Sequence, residues 1–484
     1  MRTIEVESVA ISPHHFIDGR RVASADKIEL RTPITNTPIG EIDKAGAETV
    51  DEAVAAAKRA FPDWAALGPE GRRPFLHRYA ELIKSRIDDF AIVESTDTGN
   101  LRRVVKGRVG PRAAQNITFF ADWALKMVGH KAEGGKNNDL IRYQPSGVSA
   151  LITPFNAPLM LTSWKIGPAL AAGNTVVVKP PELSPMSSSM LMDLAAEAGI
   201  PTGVLNLVNG DAETGAALVS HPDIARISFT GSPGAAKAIA RAAAEHLTPC
   251  SFELGGKSPF VVFADADLEL AAAGIVRQYT HSGQVCLAGT RILVEEIISE
   301  PLQALVLEKV AQLKVGDPRL PETNMGPLIS EQQLARVEGF VERAKADGVD
   351  VLIGGSNHDA GDLYYQPTIV GNVTRALEIV RNEVFGPVLC WQTFNGEAEA
   401  IHMANDTEYG LAGMVFTSNR EKGMRVGDAI VAGSIWVNSF YVRNLAAPFG
   451  GAKLSGVGRE GGNHSFDFFC NIKTLSINEG TFRS

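Results

Sequence analysis

One thiol and one carboxylate stand out for chemistry. The stretch HSGQVCLAGT, residues 281–290, holds Cys286, one of only four cysteines, between Gly283 and Gly289. A core cysteine usually sits among large apolar neighbours, and glycines on either side leave little to pack against it. The stretch SFELGGKSP, residues 251–259, sets Glu253 between Phe252 and Leu254, just before Gly255 and Gly256. A carboxylate at an apolar strand end is costly unless it is paired or used. Burial raises its pKa toward the range of a general base. Thirty-three residues separate the two groups, room for one strand and one helix in PFVVFADADLELAAAGIVRQYT, so the chain can fold back and bring them together. A thiol nucleophile beside a carboxylate base is a couple for acyl chemistry.

Positioning such a pair takes a scaffold, and the pattern before it supplies one. Apolar residues at helical spacing predict helices over 48–61 and 74–90. From 147 onward, short β-rich runs alternate with helical ones. Strands are predicted at 147–154, 174–180, 203–210 and 225–231, and helices at 161–173, 186–199 and 213–221. Strand and helix alternating with tight Gly and Pro turns point to a doubly wound parallel α/β sheet. Such sheets bind ligands beyond the C-terminal ends of their strands. The turns there hold Asn156 in PFNAP, Lys179 and Glu182 in KPPE, and Gly231 and Ser232 in TGSPG. Taken singly, Asn156 can be a turn former, Lys179 a solvated charge and Gly231 an ordinary turn glycine. Together they lie where a nucleotide should lie, although the Gly-x-Gly-x-x-Gly fingerprint is absent.

Composition narrows the classes. A chain of 484 residues suggests two or three domains. The formal charge of −9 argues against non-specific nucleic-acid binding. Four cysteines, Cys250, Cys286, Cys390 and Cys470, are too few for a disulfide framework, and no Cys-x-x-Cys offers a zinc site. The first residues carry no long apolar run, and no stretch reads as membrane-spanning. The expectation is a cytoplasmic protein.

The stretches ITPFNAPL, NTVVVKPPELSP, ISFTGSPG, FELGGKSP, SGQVCLAG, EVFGPVL, NDTEYGLA and PFGGAKLSGVGREGG, in this order, resemble the aldehyde dehydrogenase superfamily over nearly the whole chain. The resemblance implies an aldehyde dehydrogenase-like α/β fold. It has a Rossmann-type cofactor domain (1–127 and 147–255), an α/β catalytic domain (256–454) and a small oligomerisation element (128–146 and 455–484). It implies assembly as a homodimer or homotetramer, NAD as cofactor and no metal. Residue by residue, it makes Cys286 the nucleophile, Glu253 the base and Asn156 the donor to the oxyanion. Lys179 and Glu182 match groups on the adenine-side ribose, Gly231 and Ser232 the pyrophosphate turn, and Glu383 and Phe385 contacts to the nicotinamide-side ribose and ring. Two positions depart from the pattern, Pro181 where a small polar residue is common and Ala236 where glycine is common.

The implied reaction is oxidation of an aldehyde to an acid through a thiohemiacetal and a thioester on Cys286. The small neighbours of Cys286 are then expected to let aldehyde and nicotinamide approach the sulfur. Within the family the chain is similar to muconic semialdehyde dehydrogenases, of the aminomuconate and hydroxymuconate types. The likeness lies in the helix GPRAAQNITFFADW and the loop NSFYVRNLAAPFGG, which carry Arg112 and Arg443. Arginine pairs bidentately with carboxylate, so two in a substrate tunnel would select an aldehyde bearing an acid. Both can instead be surface or interdomain ion pairs, which leaves a broad-specificity enzyme for neutral aldehydes as the alternative. A non-catalytic relative would be expected to lack Cys286 or Glu253, and a CoA-acylating one to lack Glu253.

Overall fold

The computed structural model describes residues 2–127, 129–135 and 137–478. Met1, at the start of the expected cofactor domain, and Val128, Lys136 and residues 479–484 of the expected oligomerisation element lie outside the described residues.

The run Thr175–Lys179 reads TVVVK and is buried at every position. Such a β-branched strand needs cover on both faces, as in the middle of a parallel sheet. Val148–Ile152 is buried throughout in the same way. The two lie side by side at the centre of an eight-stranded sheet. Its order is Gly456–Val457, Cys250–Leu254, Ile224–Gly231, Val148–Ile152, Thr175–Lys179, Leu205–Leu207, His15–Ile17 and Arg20–Val22. The five inner strands run parallel, and the outer ones join antiparallel. The chain builds outward from Val148–Ile152 through Thr175–Lys179 to Leu205–Leu207. It then crosses back to lay Ile224–Gly231 on the other side. That reversal opens a crevice beyond the C-terminal ends of Val148–Ile152 and Ile224–Gly231.

Helices Pro158–Ala172, Met186–Glu197 and Ala212–Val219 fall where the pattern predicts them. The first stops at Gly173, whose φ of 98° is the left-handed C-cap. The helix expected over 74–90 is two helices, Gly68–Ser85 and Ile87–Thr98, broken at Arg86. The apolar period runs across the break because both helices bury a face in the same region, so spacing alone does not reveal it. The short N-terminal strands, such as Ile4–Val6 and Val9–Ile11, have three residues each, too few for alternation to show.

The segment between Glu253 and Cys286 forms strand Pro259–Val262 and helix Leu268–Val276, the latter capped by the Asp267 side chain on Leu270 N. Pro259–Val262 lies inside a second sheet of seven strands, flanked by Arg291–Glu295 and Ala412–Phe416 in parallel register. A third sheet, of three antiparallel strands, pairs Cys470–Ile477 with Asn138–Pro145 and leaves Ile472 exposed. Among the described residues, no helix is long and apolar enough to cross a membrane.

Candidate active site

The two large sheets face one cavity of about 1040 Å³. All eleven residues singled out in the sequence line it: Arg112, Asn156, Lys179, Glu182, Gly231, Ser232, Glu253, Cys286, Glu383, Phe385 and Arg443. Pro181 lines it as well. Ala236 is buried in the following helix instead, packed in the apolar layer under the first sheet.

The loop carrying Cys286 is built by backbone geometry. Helical turns end in three left-handed residues, His281, Ser282 and Gly283, with φ of 52°, 55° and 69°. Ser282 Oγ donates to the Gly326 carbonyl at 2.7 Å, and the Gln284 side-chain oxygen accepts from Ile329 N at 3.0 Å. The glycines flanking the thiol serve packing rather than access. A Cβ on Gly283 would overlap the backbone of Gly386, and one on Gly289 would crowd Met414 and Phe260. The side chains beside the sulfur in the cavity wall belong to Val285 and Leu287. The expectation that small neighbours give the ligands access is therefore corrected: the glycines let the loop seat against its neighbours.

Asn156 sits just past the end of Val148–Ile152 and donates from Nδ2 to the Gln284 carbonyl at 2.8 Å. One amide proton thus fixes the side chain to the cysteine loop, and an amide carries two. Glu253 ends its strand buried, with neither carboxylate oxygen hydrogen-bonded. Burial, then the nearby Glu460, holds its pKa well above the ordinary carboxylate range. Gly450 must be glycine, because a Cβ there would lie 2.7 Å from the Glu253 carboxylate. Burial pushes the Cys286 thiol up to about 12, with Glu383 and Glu253 adding to the rise. The Glu253 charge therefore disfavours the thiolate.

At the cofactor end, Ser232 caps helix Pro233–Ala244 by accepting from Ala235 N at 3.3 Å. The helix N-terminus opens on the cavity, an arrangement that favours an anion. Gly231 has no room for a side chain, since a Cβ would strike the Phe229 ring. Lys179 Nζ, buried, donates to the Gly210 carbonyl at 2.6 Å and the Pro180 carbonyl at 2.9 Å, and lies 3.4 Å from Glu182 Oε2. Glu383 accepts from Gly256 N at 2.9 Å, and burial lifts its pKa to about 7. Phe385, at a left-handed φ of 59°, meets Phe155 edge-on at 5.7 Å. An anion-favouring helix end, two carboxylates and aromatic rings lining one cavity fit a dinucleotide.

Sequence reasoning missed a group at the back of Glu253. Lys165 Nζ is buried and pairs with Glu460 Oε1 at 2.8 Å, and also donates to Ser228 Oγ at 2.8 Å. Trp164 Nε1 donates to the other Glu460 oxygen. Burial alone would raise Glu460, but Lys165 overrides it and holds the carboxyl below its usual range. A lysine in the middle of a helix buried nearly all round is the signal that would have found this pair, because such a charge must be matched.

The cavity brings together a thiol, a carboxylate, a side-chain amide and a crevice beyond the strand ends, and the aldehyde dehydrogenase family model matches residues 21–475. The chain belongs to the aldehyde dehydrogenase family. It is similar to the 2-hydroxymuconic semialdehyde dehydrogenase of Pseudomonas sp. strain CF600, 40% identical with 96% of this chain and 99% of the relative covered. The 2-aminomuconic semialdehyde dehydrogenase of Danio rerio is 38% identical, with 96% and 97% covered. A betaine aldehyde dehydrogenase of Cereibacter sphaeroides is 37% identical over the same shares. Among solved structures, betaine aldehyde dehydrogenase of Staphylococcus aureus in complex with NAD+ matches with a TM-score of 0.94 at 34% identity, covering 98% of this chain and 97% of that one. The protein is an NAD-dependent aldehyde dehydrogenase of α/β fold.

Arg112 and Arg443 line the same cavity. The Arg443 guanidinium lies between the Phe449 ring at 3.7 Å and the Trp164 ring at 4.1 Å, and its buried Nε and Nη2 have no hydrogen-bond partner. Arg112 Nε donates to Asn116 Oδ1 at 3.2 Å and its Nη1 to the Arg443 carbonyl at 3.4 Å. Burial, then Arg443, lowers the Arg112 pKa to about 10. Both stay charged at neutral pH.

Proposed function

We propose that the enzyme oxidises a carboxylate-bearing semialdehyde to the corresponding diacid. The observation that carries this reading is Arg443, which lines the cavity with its guanidinium held on two rings and its buried Nε and Nη2 unpartnered. Unsatisfied buried donors are costly, and a bound carboxylate would satisfy them. The muconic semialdehyde relatives support it. The betaine aldehyde relatives act, by name, on a cationic aldehyde, which Arg112 and Arg443 would repel here.

In the reading, Glu253 takes the proton of the Cys286 thiol, and the sulfur bonds to the aldehyde carbon. The Asn156 amide and a backbone N–H of the cysteine loop meet the oxyanion, a contribution of roughly 3–4 kcal/mol per donor. Bound NAD+ supplies the acceptor for the hydride that leaves this carbon, so that a thioester remains on Cys286. Glu253 releases the first proton to solvent and then takes one from water, whose oxygen adds to the thioester carbonyl. The carbon–sulfur bond breaks and Glu253 returns that proton to the sulfur, freeing the acid and the thiol. The Lys165–Glu460 pair sets the field in which Glu253 titrates.

The proposal includes the remaining assignments. Lys179 and Glu182 hold the adenine-side ribose, Gly231 and Ser232 the pyrophosphate, and Glu383 and Phe385 the nicotinamide side. The cofactor domain comprises 1–127 and 147–255, and the catalytic domain 256–454. The segments 128–146 and 455–484 join copies into a cytoplasmic homodimer or homotetramer, a role supported by the exposed face of Cys470–Ile477. A broad enzyme for neutral aldehydes is the second reading, favoured by the aromatic walls of Trp164, Trp436, Tyr441 and Phe449. NADH formation with hexanal, 6-oxohexanoate and a trimethylammonium aldehyde of similar length separates the two. The semialdehyde acid should have the highest kcat/KM and the cation the lowest; equal values for hexanal and 6-oxohexanoate would remove the acid from the reading.

A further inference from the structure

Beyond Arg112 and Arg443, the cavity is lined by Arg108, which an acid clamp of those two does not use. Arg108 lies four residues before Arg112, in the π-helical turn Val105–Val109 that runs into helix Gly110–Trp123. Residues four apart share a helix face, and single π-turns recur at functional sites. Both side chains line the cavity. Just before Arg108, Gly107 faces open space, for a Cβ there would meet nothing within 4 Å.

Arg108 is held by an aromatic ring rather than by an acid. Its guanidinium lies 4.7 Å from the centre of the Tyr441 ring. Tyr441 itself has a φ of 67°, a backbone conformation that costs energy for a bulky side chain, and its ring rests edge-on against Phe440 at 5.2 Å. The Tyr441 hydroxyl feels the charges of Arg108, Arg443 and Arg112 and the thiol of Cys286 together. Among the described residues, no carboxylate oxygen lies within 4.0 Å of any of the three guanidiniums. The partners they have are rings and neutral oxygens. Deeper in, the Arg443 charge is offset electrostatically by Glu460 and Glu253. One substrate carboxylate would then match Arg112 and leave Arg108 unmatched at the open side.

We infer that Arg108, presented on the Tyr441 ring, receives a second acid group, so that the substrate is a dicarboxylic semialdehyde. Its aldehyde sits at Cys286, one carboxylate between Arg112 and Arg443, and the other at Arg108. This rests on the acid-binding reading of Arg112 and Arg443. It makes Arg108 a specificity-determining residue, with Tyr441 as its positioning residue.

The test is steady-state kinetics of the full-length enzyme with NAD+ on hexanal, 6-oxohexanoate and 3-carboxy-6-oxohexanoate. The wild type should prefer the dicarboxylic aldehyde. Arg108→Ala should lower the ratio of kcat/KM for the diacid over the monoacid by at least about tenfold, the scale of one charge-assisted hydrogen bond, mostly through KM. Arg108→Lys should restore most of that ratio, which a purely structural role would not produce. An unchanged ratio in Arg108→Ala overturns the inference, as does an equal loss on all three aldehydes. If Arg443→Ala has no effect specific to 6-oxohexanoate, the acid-binding reading itself falls. If that effect is present while the Arg108 ratio stays flat, only the second acid site falls.

Discussion

The two ends of the cavity are built by different means. The cofactor end is made of turns at strand ends, where backbone geometry does most of the work. Ser232 caps a helix, Gly231 has no room for a Cβ, and Lys179 is held by main-chain carbonyls. The substrate end is made of side chains resting on side chains. Arg443 lies on Trp164 and Phe449, and Arg108 on Tyr441. Its loop includes two non-glycine residues at left-handed φ, Asn438 at 51° and Tyr441 at 67°. The difference teaches that a backbone-built site accepts a group common to many enzymes, whereas rings and arginines can be exchanged without moving a strand. The proposed specificity therefore rests on the second end.

The largest effect should come where the ends meet. Cys286→Ala should abolish aldehyde oxidation yet bind NAD+ normally by calorimetry, because the thiol forms no part of the backbone-built end. Glu253→Gln should release one equivalent of NADH in a rapid burst and then stall as the thioester; full steady-state turnover in either variant would falsify the assignment of nucleophile and base.

Next in size is the substrate end. Arg443→Ala and Arg112→Ala should each lose roughly tenfold to a hundredfold in kcat/KM on 6-oxohexanoate, from about 1.5–3 kcal/mol per charge-assisted hydrogen bond. Hexanal should be little affected. A matching loss on both aldehydes, accompanied by a lower melting temperature, would make the arginines structural and erase the contrast between the ends.

A smaller effect is expected at the cofactor end. A carboxylate accepts from a ribose 2′-OH and repels a 2′-phosphate, so Glu182→Ala should narrow the preference for NAD over NADP by about tenfold. Lys179 beside it works in the other direction. A preference that survives the substitution unchanged would shift discrimination to other groups.

The smallest effect concerns the thiol. Its high pKa makes the thiolate scarce at neutral pH, so alkylation by iodoacetamide should keep rising with pH toward about 12 in the cofactor-free enzyme. Glu383 is the foremost charge raising that pKa. Removing a negative charge lowers the pKa of a neighbouring acid, so Glu383→Gln should speed alkylation a few-fold at fixed pH. A slower reaction would contradict the electrostatic account.

Much of the fold between residues 147 and 231 was legible because three of its four strands are buried at every position. An apolar β-branched run bounded by Gly and Pro has few other readings. The break at Arg86 was not legible, since helices on both sides present apolar residues to one interior at compatible spacing. The roles of Lys165 and Glu460 were hidden for a different reason. They lie 295 residues apart, and only their meeting behind Glu253 matches the two buried charges. The glycines beside Cys286 were misread as access for ligands because a sequence does not say what stands opposite a missing side chain.

By itself the sequence determined the alternation of strands and helices, the turns that hold Asn156, Lys179, Glu182, Gly231 and Ser232, and the pairing of a thiol with a carboxylate base. These follow from local preferences and from motifs whose members are near neighbours. Only the tertiary structure decided that Gly283 seats the cysteine loop against Gly386, that Lys165 and Glu460 stand behind Glu253, and that Arg443 lies on Trp164 and Phe449. It also decided that Arg108 lies on Tyr441. Each of these depends on the distance between segments far apart in the chain, and burial and charge take their effect from that distance.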